Sequence, residues 1–292
     1  MDRYGYLKTA AAIPSVRVAD CAYNGERIAA LVAEAAGRGV EIAVFPELSV
    51  TGYTCGDLFL QPALLAAAEE ALADIVQRTA ELNTAFVVGL PVAVDDMLYN
   101  CAVVAAAGEL LGVVPKRHIP DYAEFYESRW FASGEGRPTV EIELCAQSVP
   151  FGCDLLFDIN GARCGVEICE DLWVPSPPSS QSATAGAEVL FNLSASPETV
   201  GKSDYVRQLV AQQSARTRAA YVYCSAGFGE SSTDLVFAGN ALVAENGAVL
   251  AASERFSLDE QLVVADVDCQ LLRNDRCRTT TFRHNNANGC TT

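Results

Sequence analysis

Ile42-Ala43-Val44-Phe45-Pro46-Glu47 is an apolar run that stops at a proline and sets a carboxylate just beyond it. Two later stretches repeat the design. Gly112-Val113-Val114-Pro115-Lys116 ends in an ammonium, and Cys164-Gly165-Val166-Glu167-Ile168-Cys169-Glu170-Asp171 ends in a thiol followed by acids. Compact apolar runs of this length read as buried strands, and each carries its reactive group at its C-terminal end. In sheets covered by helices, strand C-termini collect at one rim, where sites form. Glu47, Lys116 and Cys169 are far apart in sequence and meet only through tertiary folding.

Around these three runs the chain alternates between periods. Residues 6–13, 40–45, 85–94, 98–107 and 109–114 read as strands, with Asp95-Asp96 as a hairpin turn. Residues 154–159 and 163–168 flank Asn160-Gly161, the strongest hairpin signal present. Residues 188–192, 221–225, 235–244, 248–252 and 261–267 complete the strands, with a turn at Asn246-Gly247. Helical spacing marks residues 25–38, 63–82 and 199–220. Residues 175–182 read as a surface loop, and the chain after Arg278 reads as unpacked, with an Asn-rich stretch at 285–289. Helices alternating with strands early and again around residues 180–225, and hairpins in the middle and at the end, predict an α/β fold with a mixed sheet or pair of sheets covered by helices.

Composition bounds the function. Half of the 292 residues are hydrophobic, enough for a large core, yet every apolar run is too short to span a bilayer. No basic-then-apolar leader opens the chain, so the expectation is a soluble cytoplasmic protein that does not engage membranes. With 37 acidic against 20 basic residues the net charge is −17, which repels phosphate backbones and argues against nucleic acid. The 11 cysteines include no Cys-x-x-Cys pair and the histidines are only two, His118 and His284, so no zinc site is expected. The cysteines read as reduced, mostly buried apolar residues, with at most one or two reactive.

A carboxylate, an ammonium and a thiol suffice for amide hydrolysis without histidine. The thiolate attacks the amide carbon, and the carboxylate carries the thiol proton to the departing ammonia. The ammonium stabilises the oxyanion, helped by a backbone N–H beside the cysteine. Taken singly, each residue has a plainer reading: a core cysteine, a turn glutamate, a surface lysine. Together and in this order they mark a site.

Phe45-Pro46-Glu47-Leu48, Lys116 and Cys169-Glu170-Asp171 resemble the Glu, Lys and Cys motifs of the carbon–nitrogen hydrolase (nitrilase) superfamily. Four further segments resemble one branch, the amino-terminal glutaminase domain of glutamine-dependent NAD synthetases. They are residues 47–59 (ELSVTGYTCGDLF), Tyr99-Asn100-Cys101-Ala102, residues 116–130 (KRHIPDYAEFYESRW) and Asn192-Leu193-Ser194-Ala195-Ser196-Pro197. The likeness runs over about residues 5–282. It implies an αββα sandwich of two mixed sheets with helices outside, over a domain spanning residues 1–282, with residues 283–292 as a tail or linker. It implies Glu47 as general base, Lys116 as oxyanion stabiliser and Cys169 as nucleophile. On the substrate side it implies Tyr122 and Phe125 as pocket walls, Glu127 as a second carboxylate supporting the site, Glu170 beside the nucleophile, and Ser196 near the α-amino and α-carboxylate groups of glutamine.

The branch also carries an ATP-using synthetase domain whose Ser-Gly-Gly-x-Asp-Ser loop is absent from these 292 residues. The chain therefore reads as the ammonia donor alone. No cofactor or metal is expected in it, ATP and magnesium belonging to the synthetase domain, its partner. The resemblance further implies a homo-oligomer, a dimer or larger, with residues 199–220 near the contact. Two other readings stay open: a stand-alone amidase, ω-amidase or carbamoylase, and a non-catalytic dimerising module.

Overall fold

The computed structural model describes residues 4–283. Its strands form two sheets that pack face to face. The first contains β1 (Tyr6–Ile13), β2 (Ile42–Val44), β3 (Ala85–Val94), β4 (Met97–Ala106), β5 (Glu109–Pro115), β6 (Val140–Leu144), β7 (Gln147–Phe151) and β14 (Gln261–Asp268), in the order β14-β1-β2-β3-β4-β5-β7-β6. The second contains β8 (Leu156–Ile159), β9 (Ala162–Ile168), β10 (Val189–Ser194), β11 (Ala220–Ser225), β12 (Ala241–Glu245) and β13 (Ala248–Ala252), in the order β13-β12-β11-β10-β9-β8. Both sheets are mixed: β1-β2-β3 and β9-β10-β11 run parallel, and hairpins extend them on either side.

Burial explains the layers. Inward side chains of both sheets, among them Ile42, Val44, Val87 and Val104 facing Val166, Ile168, Phe191 and Val222, make one dry core between them. Helices α1 (Cys21–Gly37) and α2 (Pro62–Arg78) cover the far face of the first sheet with Ile28, Leu31, Val32, Leu72 and Ile75. Helices α3 (Pro178–Thr184) and α4 (Lys202–Thr217) cover the far face of the second. The result is the αββα sandwich. Eight of the ten cysteines described are buried, Cys164 among them in the core between the sheets.

Several expected boundaries move. Residues 175–182 are not all loop: Pro178 occupies the first turn of α3, where its missing N–H costs nothing. The helix expected over 199–220 begins only at Lys202, after Gly201 takes a left-handed conformation, and ends where Arg218 does the same. The helix expected to reach 82 stops at Arg78, because the Thr79 hydroxyl bonds back to the Ile75 carbonyl at 2.8 Å and the chain turns. Of the strand expected at 235–244, only the part from Ala241 onward pairs; Leu235 instead faces a cavity. The β6–β7 hairpin and helix α5 (Cys269–Arg278) were not expected. Residues 280–283 are helical rather than unpacked, and the Arg276 guanidinium lies over the Phe282 ring at 5.0 Å. The Asn-rich stretch at 285–289 lies outside the described residues.

The segment that carries Glu47 is pinned by backbone. Phe45 donates to the Val87 carbonyl at 2.9 Å and Val50 to that of Gly89 at 3.1 Å. A Cβ on Gly89 would meet the Leu48 nitrogen at 2.3 Å and the Pro46 oxygen at 2.8 Å. Gly89→Ala therefore has to push the Glu47 turn away. We expect a loss of about 1–3 kcal/mol, the scale of overpacking, seen as a melting midpoint several degrees lower. A midpoint matching the parent's would mean that the turn yields freely.

Candidate active site

The three strand ends converge. Glu47 follows β2, Lys116 follows β5 and Cys169 follows β9, and the Glu47 N–H donates to the Ser194 carbonyl across the sheets at 3.2 Å. The Lys116 ammonium lies between two carboxylates. It reaches Glu47 Oε1 at 2.7 Å and both oxygens of Glu127 at 2.8 Å. All three side chains are shut off from solvent. Burial lowers the Lys116 ammonium; the charges of Glu127 and Glu47 outweigh it and raise the amine above its usual value, so it stays charged.

Each carboxylate has further donors. Glu47 Oε1 also accepts from Asn100 Nδ2 at 2.6 Å, and its Oε2 from the Ala195 N–H at 2.8 Å. Glu127 Oε1 accepts from the Tyr53 hydroxyl at 2.9 Å. Burial raises the Glu127 carboxyl, with Lys116 opposing. Burial likewise pushes the Cys169 thiol well up; Glu47 adds to this and Lys116 opposes it. Cys169 thus rests as a thiol.

Cys169 stands at a sharp elbow with φ +44°, a conformation that costs a side-chain-bearing residue on the order of 1–3 kcal/mol. Asp171 holds the elbow. Its Oδ2 accepts from the Ile168 N–H at 3.0 Å, and its Oδ1 takes the His118 N–H at 2.9 Å and His118 Nδ1 at 2.8 Å. One carboxylate therefore ties the cysteine turn to the segment just beyond Lys116. The same contact raises the half-buried His118.

The remaining expected residues lie around this centre. Tyr122 is 55% exposed at the rim, its hydroxyl donating to Glu170 at 2.9 Å and its ring edge-on to Phe125 at 5.8 Å. Phe125 and Glu127 line a cavity of about 230 Å³ together with Tyr53, Trp130, Ser231 and Leu235. Tyr122, Glu170 and Ser196 lie outside that lining. The Ser196 N–H donates to the Ser225 hydroxyl at 3.1 Å. Sequence reasoning gave no role to Asn100, Tyr53, Asp171 or His118, although all four lie in the stretches that carry the resemblance. It also missed Lys202, at the start of α4. This half-buried amine lies over the Trp173 ring at 5.3 Å and within electrostatic reach of Cys169, Glu124, Glu170 and Glu198.

The fold and this constellation define a thiol hydrolase scaffold; the one histidine among the described residues, His118, is bonded to Asp171. Comparison with known proteins agrees. The carbon–nitrogen hydrolase family profile matches residues 8–276, and the chain belongs to that family. The glutamine-dependent NAD(+) synthetase of Mycobacterium tuberculosis strain H37Rv is 46% identical over 287 residues, 97% of this chain and 42% of that protein. That of Mycobacterium leprae is 44% identical over 96% of this chain and again 42% of the relative. The chain thus spans about two fifths of the length of these curated relatives. Among solved structures, a glutamine-dependent NAD(+) synthetase from Cytophaga hutchinsonii superposes with TM-score 0.82 at 29% identity, over 89% of this chain and 43% of that one. A Nesterenkonia AN1 amidase variant shares the fold, with TM-score 0.72 at 20% identity over 94% and 96% of the two chains.

Behind Cys169, Glu167 is buried on the outer side of β9, bonded to the Tyr221 hydroxyl and accepting from the Ser179 N–H at 2.7 Å. Burial pushes its carboxyl from the usual 4.5 up to about 7. A carboxyl raised by folding favours the folded state at low pH. Its contribution is lost as pH climbs from 4.5 through about 7, on the order of 3 kcal/mol in all. Glu167→Gln removes that titration. Urea midpoints at about pH 5 and about pH 8 should differ less in the variant than in the parent; an equal difference would show that Glu167 does not titrate in this window.

Proposed function

We propose that this chain hydrolyses the side-chain amide of glutamine through a Cys169 thioester and serves as the ammonia donor for NAD synthesis. The observation that carries the reading is the Lys116 ammonium, enclosed by Glu47 and Glu127 beside Cys169. In this mechanism Glu47 takes the Cys169 proton as sulfur attacks the amide carbon. Lys116 stabilises the oxygen that becomes negative. Collapse of the tetrahedral intermediate breaks the C–N bond, and Glu47 returns the proton to the leaving ammonia. Glu47 then draws a proton from water, which hydrolyses the thioester and frees the thiol. Tyr122 and Phe125 wall the approach, Glu170 fixes the Tyr122 hydroxyl, and Ser196 sits beside the polar end of the substrate.

Glutamine suits the rim. Lys202 offers an ammonium to an α-carboxylate, while Glu124, Glu170 and Glu198 offer acceptors to an α-amine. The names of the relatives support the donor role, since the part of them that this chain matches is less than half of each. ATP, magnesium and the nucleotide acceptor belong, in this proposal, to a synthetase domain that works as the partner. No helix among the described residues is long and apolar enough to cross a membrane. The ten described cysteines are all free, which fits a reducing cytoplasmic setting. Self-association completes the proposal: Tyr205 on α4 is 56% exposed beside Trp173, with ring centroids 5.4 Å apart. Light scattering should give at least twice the 31.0 kDa chain mass; a monomer at micromolar concentration would remove that part.

The test of the activity is ammonia release from glutamine, short aliphatic amides and N-carbamoyl amino acids. Glutamine should be preferred. Cys169→Ala should abolish release, and Lys116→Met should cut turnover by about a hundredfold or more, as expected for an oxyanion donor. Adding ATP and nicotinic acid adenine dinucleotide should leave the rate unchanged. Preference for another amide would replace glutamine in this reading, and turnover by Cys169→Ala would end it.

A further inference from the structure

Glu230 lies on the loop of residues 226–240 between β11 and β12, beside residues that wall the cavity. Its Oε1 accepts from the Tyr53 N–H at 2.7 Å. Its Oε2 accepts from the Thr54 N–H at 3.0 Å and the Thr54 hydroxyl at 2.5 Å. The Thr54 oxygen accepts in turn from the Ser231 N–H at 2.9 Å. These bonds join the two sides of the cavity, since Tyr53, Thr54 and Gly56 line one and Ser231, Thr233, Asp234 and Leu235 the other.

The loop itself has little freedom at its base. Val16 donates to the Phe228 carbonyl at 3.2 Å, and Gly229, at φ +108°, lies so close that a Cβ there would fall 1.8 Å from the Val16 oxygen. From Glu230 the contacts lead inward without a break: the Tyr53 backbone, the Tyr53 hydroxyl, Glu127, then Lys116. We propose that Glu230 is a positioning residue for the Cys169 site: it fixes the Tyr53–Thr54 turn so that Tyr53 holds Glu127, and Glu127 holds Lys116, in one geometry.

A carboxylate is the side chain this place needs. Three donors converge on it, and a glutamine has one acceptor oxygen for them, leaving an N–H facing an N–H. Besides Tyr53 and Thr54, the Cys55 thiol feels the Glu230 charge. Glu127 faces Lys116, Glu47 and Tyr53. Losing the Tyr53 hydroxyl removes a donor that favours ionised Glu127, so its carboxyl then holds its proton to higher pH.

The inference rests on the hydrolase reading of the site, and its test needs no turnover. The rate of Cys169 alkylation by chloroacetamide, mapped by peptide mass across pH on the full chain, reports the site directly. Tyr53→Phe and Glu230→Ala should each move the acid limb of that profile to higher pH. Each should also slow labelling near neutrality by about tenfold, less than the hundredfold that an ångström of misplacement can cost. The double variant should be no worse than the more affected single, because both act along one path. Labelling of Cys277, which is exposed, serves as the control and should not change. Glu230→Gln and Thr54→Val should shift the limb the same way but less, and they carry the test if the alanine variant unfolds. An unmoved Cys169 profile in the Glu230 variants, or a double variant whose defect is the product of the singles, would overturn the proposal. Failure of glutamine as a substrate would leave it standing.

Discussion

Everything at the rim depends on one ammonium held in a dry place. Lys116 is fully buried with two carboxylates against it. Removing such charges from water costs several kcal/mol each, and their mutual attraction rarely returns more than that. Such a group is weak evidence for stability. Its three members are placed by separate elements: the Pro46 turn, the end of β5 and the loop that holds Glu127. The sandwich brings those elements together because its two sheets can pack only when their apolar faces match. That packing aligns the ends of β2 and β5 with those of β9 and β10.

The backbone then does what side chains alone cannot. Gly89 lets the Glu47 turn rest directly on β3, and the Ala195 N–H after β10 reaches Glu47 at 2.8 Å. The elbow at Cys169 is strained, and Asp171 supports it by bonding both the strand end before it and the His118 segment beyond Lys116. The Cys169 and Lys116 segments are thus parts of one hydrogen-bonded frame, so displacing either displaces both. The Glu167 carboxyl behind them adds a cost of its own that builds as pH rises from 4.5 through about 7.

How much of this was legible in the sequence follows from what is local. Strands made of continuous apolar runs, such as β10 and β11, whose residues are all buried, and turns such as Asn160-Gly161, where both residues take positive φ, are written in adjacent residues and were read correctly. The catalytic candidates were visible because each closes an apolar run. Helix ends were less legible: the stop at Thr79 depends on a back-bonded hydroxyl, and the late start of α4 on a left-handed Gly201. The β6–β7 hairpin escaped notice because its outward positions are Glu141 and Glu143 and its turn, Cys145-Ala146, carries no glycine or asparagine although both residues take positive φ. Asn100, Asp171, Lys202 and Glu230 were illegible as site residues for a different reason. Their partners are 53, 53, tens of and more than a hundred positions away, so only the folded chain brings them together.

The second carboxylate becomes intelligible when charge is followed through the proposed reaction. At rest Glu47 and Glu127 share one ammonium, and Cys169 is neutral. When Glu47 accepts the thiol proton it stops being an anion, and Lys116 would then be an unpaired cation in a medium that tolerates none. A lone lysine would answer by giving up its own proton, and the oxyanion would lose its stabiliser just as it forms. Glu127, held by Tyr53 and bonded to Lys116 through both oxygens, keeps the amine charged at every stage. Glu47 is thereby free to gain and lose a proton while Lys116 does not. This division of labour requires Glu127 to stay where Tyr53 puts it, which makes the position of a tyrosine hydroxyl part of the chemistry of a cysteine that it need not touch.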